Sequence, residues 1–225
     1  VSAGSDAIQR QTLDEGLLAL KLVLNDAQKA QLLSYLVLIQ KWTQVYNLTA
    51  VRDPFEMLTH HLLDSLAVVN PLLLQLDALQ IQRTDLRLLD VGSGAGLPGI
   101  VIAICCPDIT VHCVDTVAKK AAFIQQVAVS LKLSNLRGIH ARVENLTDIY
   151  DVVSSRAFAS LGNFTQWSRQ SLAEQGVWMA MKGKHPMDEM AALPPTVQVF
   201  HVEQLEVPGL GAERCIVWMR PTLAA

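Results

Sequence analysis

Leu86-Arg87-Leu88-Leu89-Asp90-Val91-Gly92-Ser93-Gly94-Ala95-Gly96-Leu97-Pro98-Gly99-Ile100 is the stretch whose reading decides the fold. Leu86 to Val91 is short and apolar with an acid near its end, the pattern of a buried parallel strand. Gly92, Gly94 and Gly96 follow at alternate positions, where the backbone must turn sharply or approach a ligand without a Cβ in the way. Pro98 is expected at the first helical position, where a missing N–H costs nothing, and the apolar run to Cys106 continues as a helix. A strand, a glycine loop and a helix start together make a ligand site. An ordinary glycine-rich turn is the plainer alternative.

Downstream, strand and helix patterns alternate. Thr110–Val114 ends in Asp115, and an amphipathic stretch 118–131 follows. Leu136–His140, Tyr150–Ser155 and Gly176–Met181 read as further strands, with helices expected at 161–173 and 187–192. Residues 197–207 and 214–219 read as a terminal hairpin around Pro208-Gly209-Leu210-Gly211. Such alternation predicts an α/β domain with a mostly parallel sheet covered on both faces. Right-handed crossovers then bring the loops after each strand to one edge, where ligands bind. Asp90, Asp115, Glu144, Arg156 and Lys182 all fall on that edge.

Upstream, the chain reads as helical up to about residue 80. Thr12-Leu13-Asp14-Glu15 suggests a capping box before Leu17, and a second helix is expected from Asn25 or Asp26 with Leu32, Leu36 and Ile39 on one face. Asp53-Pro54-Phe55-Glu56 starts a third, expected to stop at Asn70-Pro71. The predicted division is a helical extension over residues 1–80 packed on a core domain over 81–225, joined through the polar stretch 80–85.

The bulk properties narrow the class. The chain has 225 residues, 51% of them hydrophobic, enough for a substantial core. No apolar run approaches the roughly 20 residues of a membrane span, the longest being 99–106, and the polar segment Asp6 to Glu15 has no signal-peptide pattern. Cys105, Cys106, Cys113 and Cys215 form no C-x-x-C pair, which points to reduced thiols and a cytoplasmic setting. His60-His61 is the one close histidine pair, and adjacent helical side chains diverge, so no metal is expected. The net charge of −3 gives no general support to a nucleic-acid partner, which must rely on a local basic patch.

Gly94-x-Gly96-x-x-Gly99 formally fits a dinucleotide loop, but Asp90 opens a second pattern, acid-x-Gly-x-Gly-x-Gly. A carboxylate there repels a pyrophosphate and attracts an ammonium. S-adenosylmethionine carries an ammonium and a sulfonium and no phosphate, so charge favours it. Asp115 could accept hydrogen bonds from ribose hydroxyls, or simply cap a helix.

Several segments together resemble the ribosomal RNA small-subunit methyltransferase G family, also called glucose-inhibited division protein B. They are Lys41-Trp42, Tyr46-Asn47-Leu48-Thr49, Arg52-Asp53-Pro54, His61-Leu62-Leu63-Asp64-Ser65, Asp90 to Gly99, Ser155-Arg156-Ala157-Phe158-Ala159-Ser160 and Met181-Lys182-Gly183. They stand in the family's order and span the chain from about residue 26 onward. The resemblance implies a class I, Rossmann-like methyltransferase sheet with an N-terminal helical extension. It also implies methyl transfer from S-adenosylmethionine to N7 of guanine 527 in the 530 loop of bacterial 16S rRNA. The cofactor contacts it implies fall on Gly92, Leu97, Val143, Glu144 and Arg156. Asp90, Gly94 and Asp115 join them from the reading of the loop.

Guanine N7 already has a lone pair, so its methylation needs positioning and no general base. Arg156 and Lys182 are therefore read as groups that orient the guanine, although Arg156 could instead pair with Glu144 or Asp151. Phe158 is the candidate for stacking on the base. Arg52, Arg142, Arg156, Arg169, Lys182, Lys184 and His185 are candidates for RNA contact. His61 and Asp64 share a helix face and could pair with each other or close the site. On fold alone, a small-molecule or protein methyltransferase, a dinucleotide oxidoreductase and a non-catalytic ribosome-assembly module stay open.

Overall fold

The computed structural model describes residues 3–81 and 85–222. Part of the predicted join, residues 82–84, lies outside them. Among the described residues, seven strands form one sheet in the order β3-β2-β1-β4-β5-β7-β6. They are β1 (Arg87–Val91), β2 (Thr110–Asp115), β3 (Leu136–His140), β4 (Tyr150–Arg156), β5 (Leu172–Lys182), β6 (Val197–Leu205) and β7 (Arg214–Pro221). β1 to β5 pair in parallel, and β7 enters antiparallel between β5 and β6. The expected doubly covered sheet with a terminal hairpin is therefore present.

Helices α6 (Gly99–Cys105) and α7 (Ala118–Ser130) follow β1 and β2, while α8 (Leu161–Ser168) and α9 (Met187–Ala191) follow β4 and β5. Among the described residues, five α-helical segments precede the sheet. They are α1 (Ala3–Ala19), α2 (Asp26–Tyr46), α3 (Pro54–Met57), α4 (Asp64–Leu66) and α5 (Val69–Ala78), with a π-helical turn at Leu58–Leu63 between α3 and α4. Leu13, Leu36, Leu62 and Leu72 from this region share a continuous core with Leu88, Ile100, Val111 and Phe123. A smaller core of Leu89, Val153, Phe164 and Trp178 fills the sheet's other face.

The caps read from sequence are realised where a side chain can reach. Asn25 and Gln28 form a reciprocal capping box at α2, and Asp53 accepts from the N–H groups of Phe55 and Glu56. Four expectations change. Thr12 does not open α1 but sits inside it, its hydroxyl donating to the Ile8 carbonyl. Pro71 does not end a helix. It occupies the first turn of α5 after a break at Ala67–Val68, where its missing N–H is harmless. Pro98 caps α6 instead of occupying its first position. The helix after β4 ends at Ser168, because Leu172 already pairs with Tyr150 at the start of β5. Residues Pro54–Ala78 are long and apolar enough to cross a membrane by length and composition alone, yet 72% of their most apolar part is buried inside the protein.

α2 joins the N-terminal helices to the glycine loop through polar bonds as well as apolar burial. The Gln28 amide donates to the carbonyls of Ile104 and Cys105, and the Gln31 amide to that of Leu131. These are carbonyls at the C-terminal ends of α6 and α7, which have no partner within their own helices. From the same helix, fully buried Tyr35 donates its hydroxyl to the Ala95 carbonyl at 2.6 Å. Tyr35→Phe leaves that carbonyl buried and unpaired, so urea unfolding should show a loss of about 1–3 kcal/mol. An unchanged unfolding midpoint would mean that the bond adds nothing to the loop's anchorage.

Candidate functional site

After Val91 the chain turns through Gly92, Gly94 and Gly96, with φ of +65°, +59° and +86°. A Cβ on Gly92 would lie 2.2 Å from the Phe158 ring, so that glycine is required by packing as well as by backbone geometry. Gly94 meets only the Gly92 carbonyl oxygen, at 4.0 Å, and leaves its surroundings open. Two cavities flank this turn. The larger, about 340 Å³, is lined by Asp115, Arg142, Val143, Glu144, Phe158 and Trp167 among others. The smaller, about 230 Å³, is lined by Leu48, Thr49, His61, Gly94, Leu97 and Arg156 among others. Gly92, Lys120 and Ala157 line both, so the two are lobes of one cleft at the carboxyl edge of the parallel strands. Ala157 has φ +51°, a conformation that costs a non-glycine residue about 1–2 kcal/mol and stands here at the junction of the lobes.

The acids of the loop act first on the backbone. Asp115 accepts from the N–H of Gly94 at 3.0 Å and of Val117 at 2.8 Å, fixing the glycine turn against the start of α7 while facing the larger lobe. Asp90 departs from expectation. It has no exposed surface, and its two oxygens accept from the Gly99 N–H and the Ser154 hydroxyl, each at 3.0 Å. Burial pushes its carboxyl up to about 7. Asp90 is a tie between β1, β4 and α6, and it is not among the residues lining either lobe.

Arg156, half-buried at the end of β4, pairs with neither Glu144 nor Asp151. Its guanidinium donates to Asp64 at 2.8 Å and to the His60 carbonyl at 3.1 Å. Asp64 is 2% exposed, and its other oxygen accepts from Arg214 Nε at 2.8 Å. His61 does not pair with Asp64. Its Nε2 lies 2.9 Å from the Thr49 hydroxyl. Burial and the neighbouring Arg156 hold its pKa down at about 4.

Lys182 also departs from expectation. Its ammonium donates to the Ala159 carbonyl at 3.0 Å and to Glu189 at 2.8 Å, and Glu189 in turn accepts from the Leu161 N–H. It braces the loop carrying Phe158 and is not among the residues lining either lobe. Phe158 itself packs edge-on to Phe164 and Trp167 and walls the larger lobe, not the smaller one. Arg142 stands at the larger lobe, whereas Arg52, Lys184 and His185 are exposed and line neither lobe. Arg169 lines a separate cavity of about 1030 Å³ between α8, α9 and β6, which shares no lining residue with the cleft. Thr49, Lys120, Trp167 and Arg214 were not picked out from sequence. Thr49 lies within the quoted Asn47-Leu48-Thr49 segment, but nothing in one sequence marks Arg214.

A seven-stranded sheet of this order, with a glycine-turn cleft at the carboxyl edge, defines a class I methyltransferase fold. TrmN from Thermus thermophilus shares it at a TM-score of 0.55 with 19% identity, over 73% of this chain and 53% of that one. Coclaurine N-methyltransferase, bound to N-methylheliamine and SAH, shares it at 0.51 with 15% identity, over 89% and 74%. The chain belongs to the rRNA small subunit methyltransferase G family, which matches residues 28–217. The ribosomal RNA small subunit methyltransferase G of Albidiferax ferrireducens is 69% identical over 215 residues, covering 93% of this chain and 96% of its own length. That of Acidovorax sp. strain JS42 is 65% identical over 224 residues, covering 98% and 99%.

The lowered pKa of His61 has a measurable consequence. Between its ordinary value of 6.5 and about 4, the unfolded chain takes up a proton that the folded chain refuses, so stability falls as pH falls through that window. Asp90 acts in the opposite sense, its raised pKa adding stability as pH falls from about 7 towards 3.8. The difference in unfolding free energy between the wild type and His61→Asn removes the Asp90 contribution. That difference should shrink by about 3 kcal/mol from pH 6.5 to pH 4. A constant difference would show that His61 is not held neutral.

Proposed function

We propose that this protein transfers a methyl group from S-adenosylmethionine to N7 of guanine 527 in the 530 loop of bacterial 16S rRNA. The observation that carries the chemistry is the lining of the smaller lobe. Among the described residues it presents hydroxyl, imidazole and cationic groups and no carboxylate. An acceptor that must lose a proton is best served by a base within hydrogen-bond reach. Here the one neutral base is His61, whose Nε2 is engaged by Thr49 and whose Nδ1 has no exposed surface. An aromatic nitrogen with a free lone pair needs no such base. The choice of guanine 527 rests on the family resemblance.

The cleft suits the methyl donor. Asp115 keeps acceptor lone pairs for ribose hydroxyls beyond those used by Gly94 and Val117, and Val143 and Glu144 complete the larger lobe. The open side of Gly94 leaves room for the amino-acid end, beside the Arg156 N–H groups not taken by Asp64 and His60. When bound, S-adenosylmethionine supplies an electrophilic methyl group on a sulfonium. The chain's residues hold the base in line with it, and good positioning alone removes roughly 7–11 kcal/mol of barrier. Lys120, Arg142 and Arg156 give the cleft a basic lining for phosphate contact. An rRNA substrate is one met in the bacterial cytoplasm, a reducing setting in which cysteine thiols persist.

Mapping N7-methylguanine along 16S rRNA, with and without this protein, tests the reading. The expected result is one modified guanine in the 530 loop that depends on the protein and on S-adenosylmethionine. Methylation at another atom, or none on small-subunit RNA, would overturn it. Binding to that RNA should also weaken steeply with salt, since each neutralised phosphate steepens the slope.

A further inference from the structure

The parallel sheet does not enclose the smaller lobe by itself. Leu48, Thr49 and His61, from the helical region before the sheet, supply one wall of it. Thr49 follows the left-handed cap Asn47 of α2 and is half-buried. Its hydroxyl oxygen offers two lone pairs and one proton. The Val51 N–H donates to it at 3.3 Å, and His61 Nε2 stands 2.9 Å away.

The other ring nitrogen decides which partner donates. His61 Nδ1 has no exposed surface and no well-formed hydrogen bond among the described residues, and the neighbouring His60 carbonyl already accepts from Arg156. A proton on Nδ1 would leave a buried N–H orphaned, whereas a bare Nδ1 leaves only a lone pair, and buried orphan N–H groups are the rarer defect. The imidazole is neutral in its position beside Arg156, so its single proton belongs on Nε2 and is donated to Thr49. Both lone pairs of the Thr49 oxygen are then filled. Its own proton has no acceptor among the described residues, and the lobe it lines is where an acceptor can be met.

We propose that the Thr49 hydroxyl is a fixed hydrogen-bond donor that reads O6 of the target guanine and so selects guanine over adenine. This rests on the N7 methylation proposed above. Guanine presents N7 and O6 side by side as two acceptors, whereas adenine places an N6 amino donor where O6 would be. A hydroxyl free to rotate would serve either base. One whose lone pairs are held by His61 and Val51 meets the adenine amine donor to donor, and an unpaired group in a desolvated site carries a large penalty.

Single-turnover methylation of a 16S rRNA fragment tests this, with the target as guanine, adenine or 2-aminopurine. The last lacks O6 and keeps N7. The wild type should methylate 2-aminopurine about tenfold to a hundredfold more slowly than guanine. Thr49→Val, which keeps the β-branched shape, should lose a similar factor on guanine and little more on 2-aminopurine, while Thr49→Ser should recover most of the guanine rate. The preference for guanine over adenine should narrow in Thr49→Val. Equal losses by Thr49→Val on guanine and 2-aminopurine would overturn the assignment, as would full activity of Thr49→Val on guanine. Failure of the wild type to methylate N7 of any guanine would instead overturn the underlying function.

Discussion

Asp64 is the carboxylate on which the site's geometry depends. Each of its oxygens receives a guanidinium N–H at 2.8 Å, one from Arg156 and one from Arg214. The three residues belong to the N-terminal helices, the end of β4 and the start of β7, so one buried charge pins three separately folded parts of the chain. A carboxylate at 2% exposure is tolerated because both oxygens are paired, and removing it would leave two partly buried cations competing for water. Because Arg156 is also bound to the His60 carbonyl, its orientation in the cleft is set before any ligand arrives. The same cation helps to keep His61 neutral, and through His61 it bears on Thr49. Catalysis by positioning needs this kind of over-determination.

The acids near the glycine loop follow a similar logic. Asp115 and Asp90 fix the backbone N–H groups of Gly94, Val117 and Gly99, and so hold the turn in a conformation that only glycines adopt easily. Lys182 and Glu189 do the same for the loop bearing Phe158. These groups keep a cleft open on the surface of a densely packed sheet. Tyr35 and the two glutamines of α2 make the N-terminal helices part of that frame, since their partners are carbonyls of the glycine loop and of the ends of α6 and α7.

This explains which features were legible in the sequence. Periodicity and turn chemistry are local, so the strands, the glycine turn, the cap at Asp53 and the terminal hairpin could all be read. Val143, Glu144, Gly92, Leu97 and Arg156 were placed around one cleft through a family resemblance and the order of strand ends. Partnerships across long separations were not legible. Asp64 meets Arg156 at 92 residues' distance and Arg214 at 150, and a single sequence carries no signal for either. Sequence also cannot tell which way a strand-end carboxylate faces. The charge argument made Asp90 a ligand for an ammonium, whereas the fold turns it inward to Ser154 and the Gly99 N–H. Pro71 misled for a related reason, because a proline that stops one helix can equally stand in the first turn of the next.

The net charge of −3 looks unfavourable for an enzyme of ribosomal RNA, and the fold resolves the conflict. Formal charge counts every acid equally, but Asp64, Asp90 and Asp115 are each less than 7% exposed and engaged with arginines or backbone N–H groups. Lys120, Arg142 and Arg156 at the cleft are therefore opposed less by those acids than a formal count implies. The Asp64 cluster itself sums to one positive charge, since two guanidinia share one carboxylate. Acids elsewhere on the surface act through solvent, where salt at physiological strength screens charge beyond about 8 Å. The side chains lining the cleft thus carry three cations, Lys120, Arg142 and Arg156, against two carboxylates, Asp115 and Glu144.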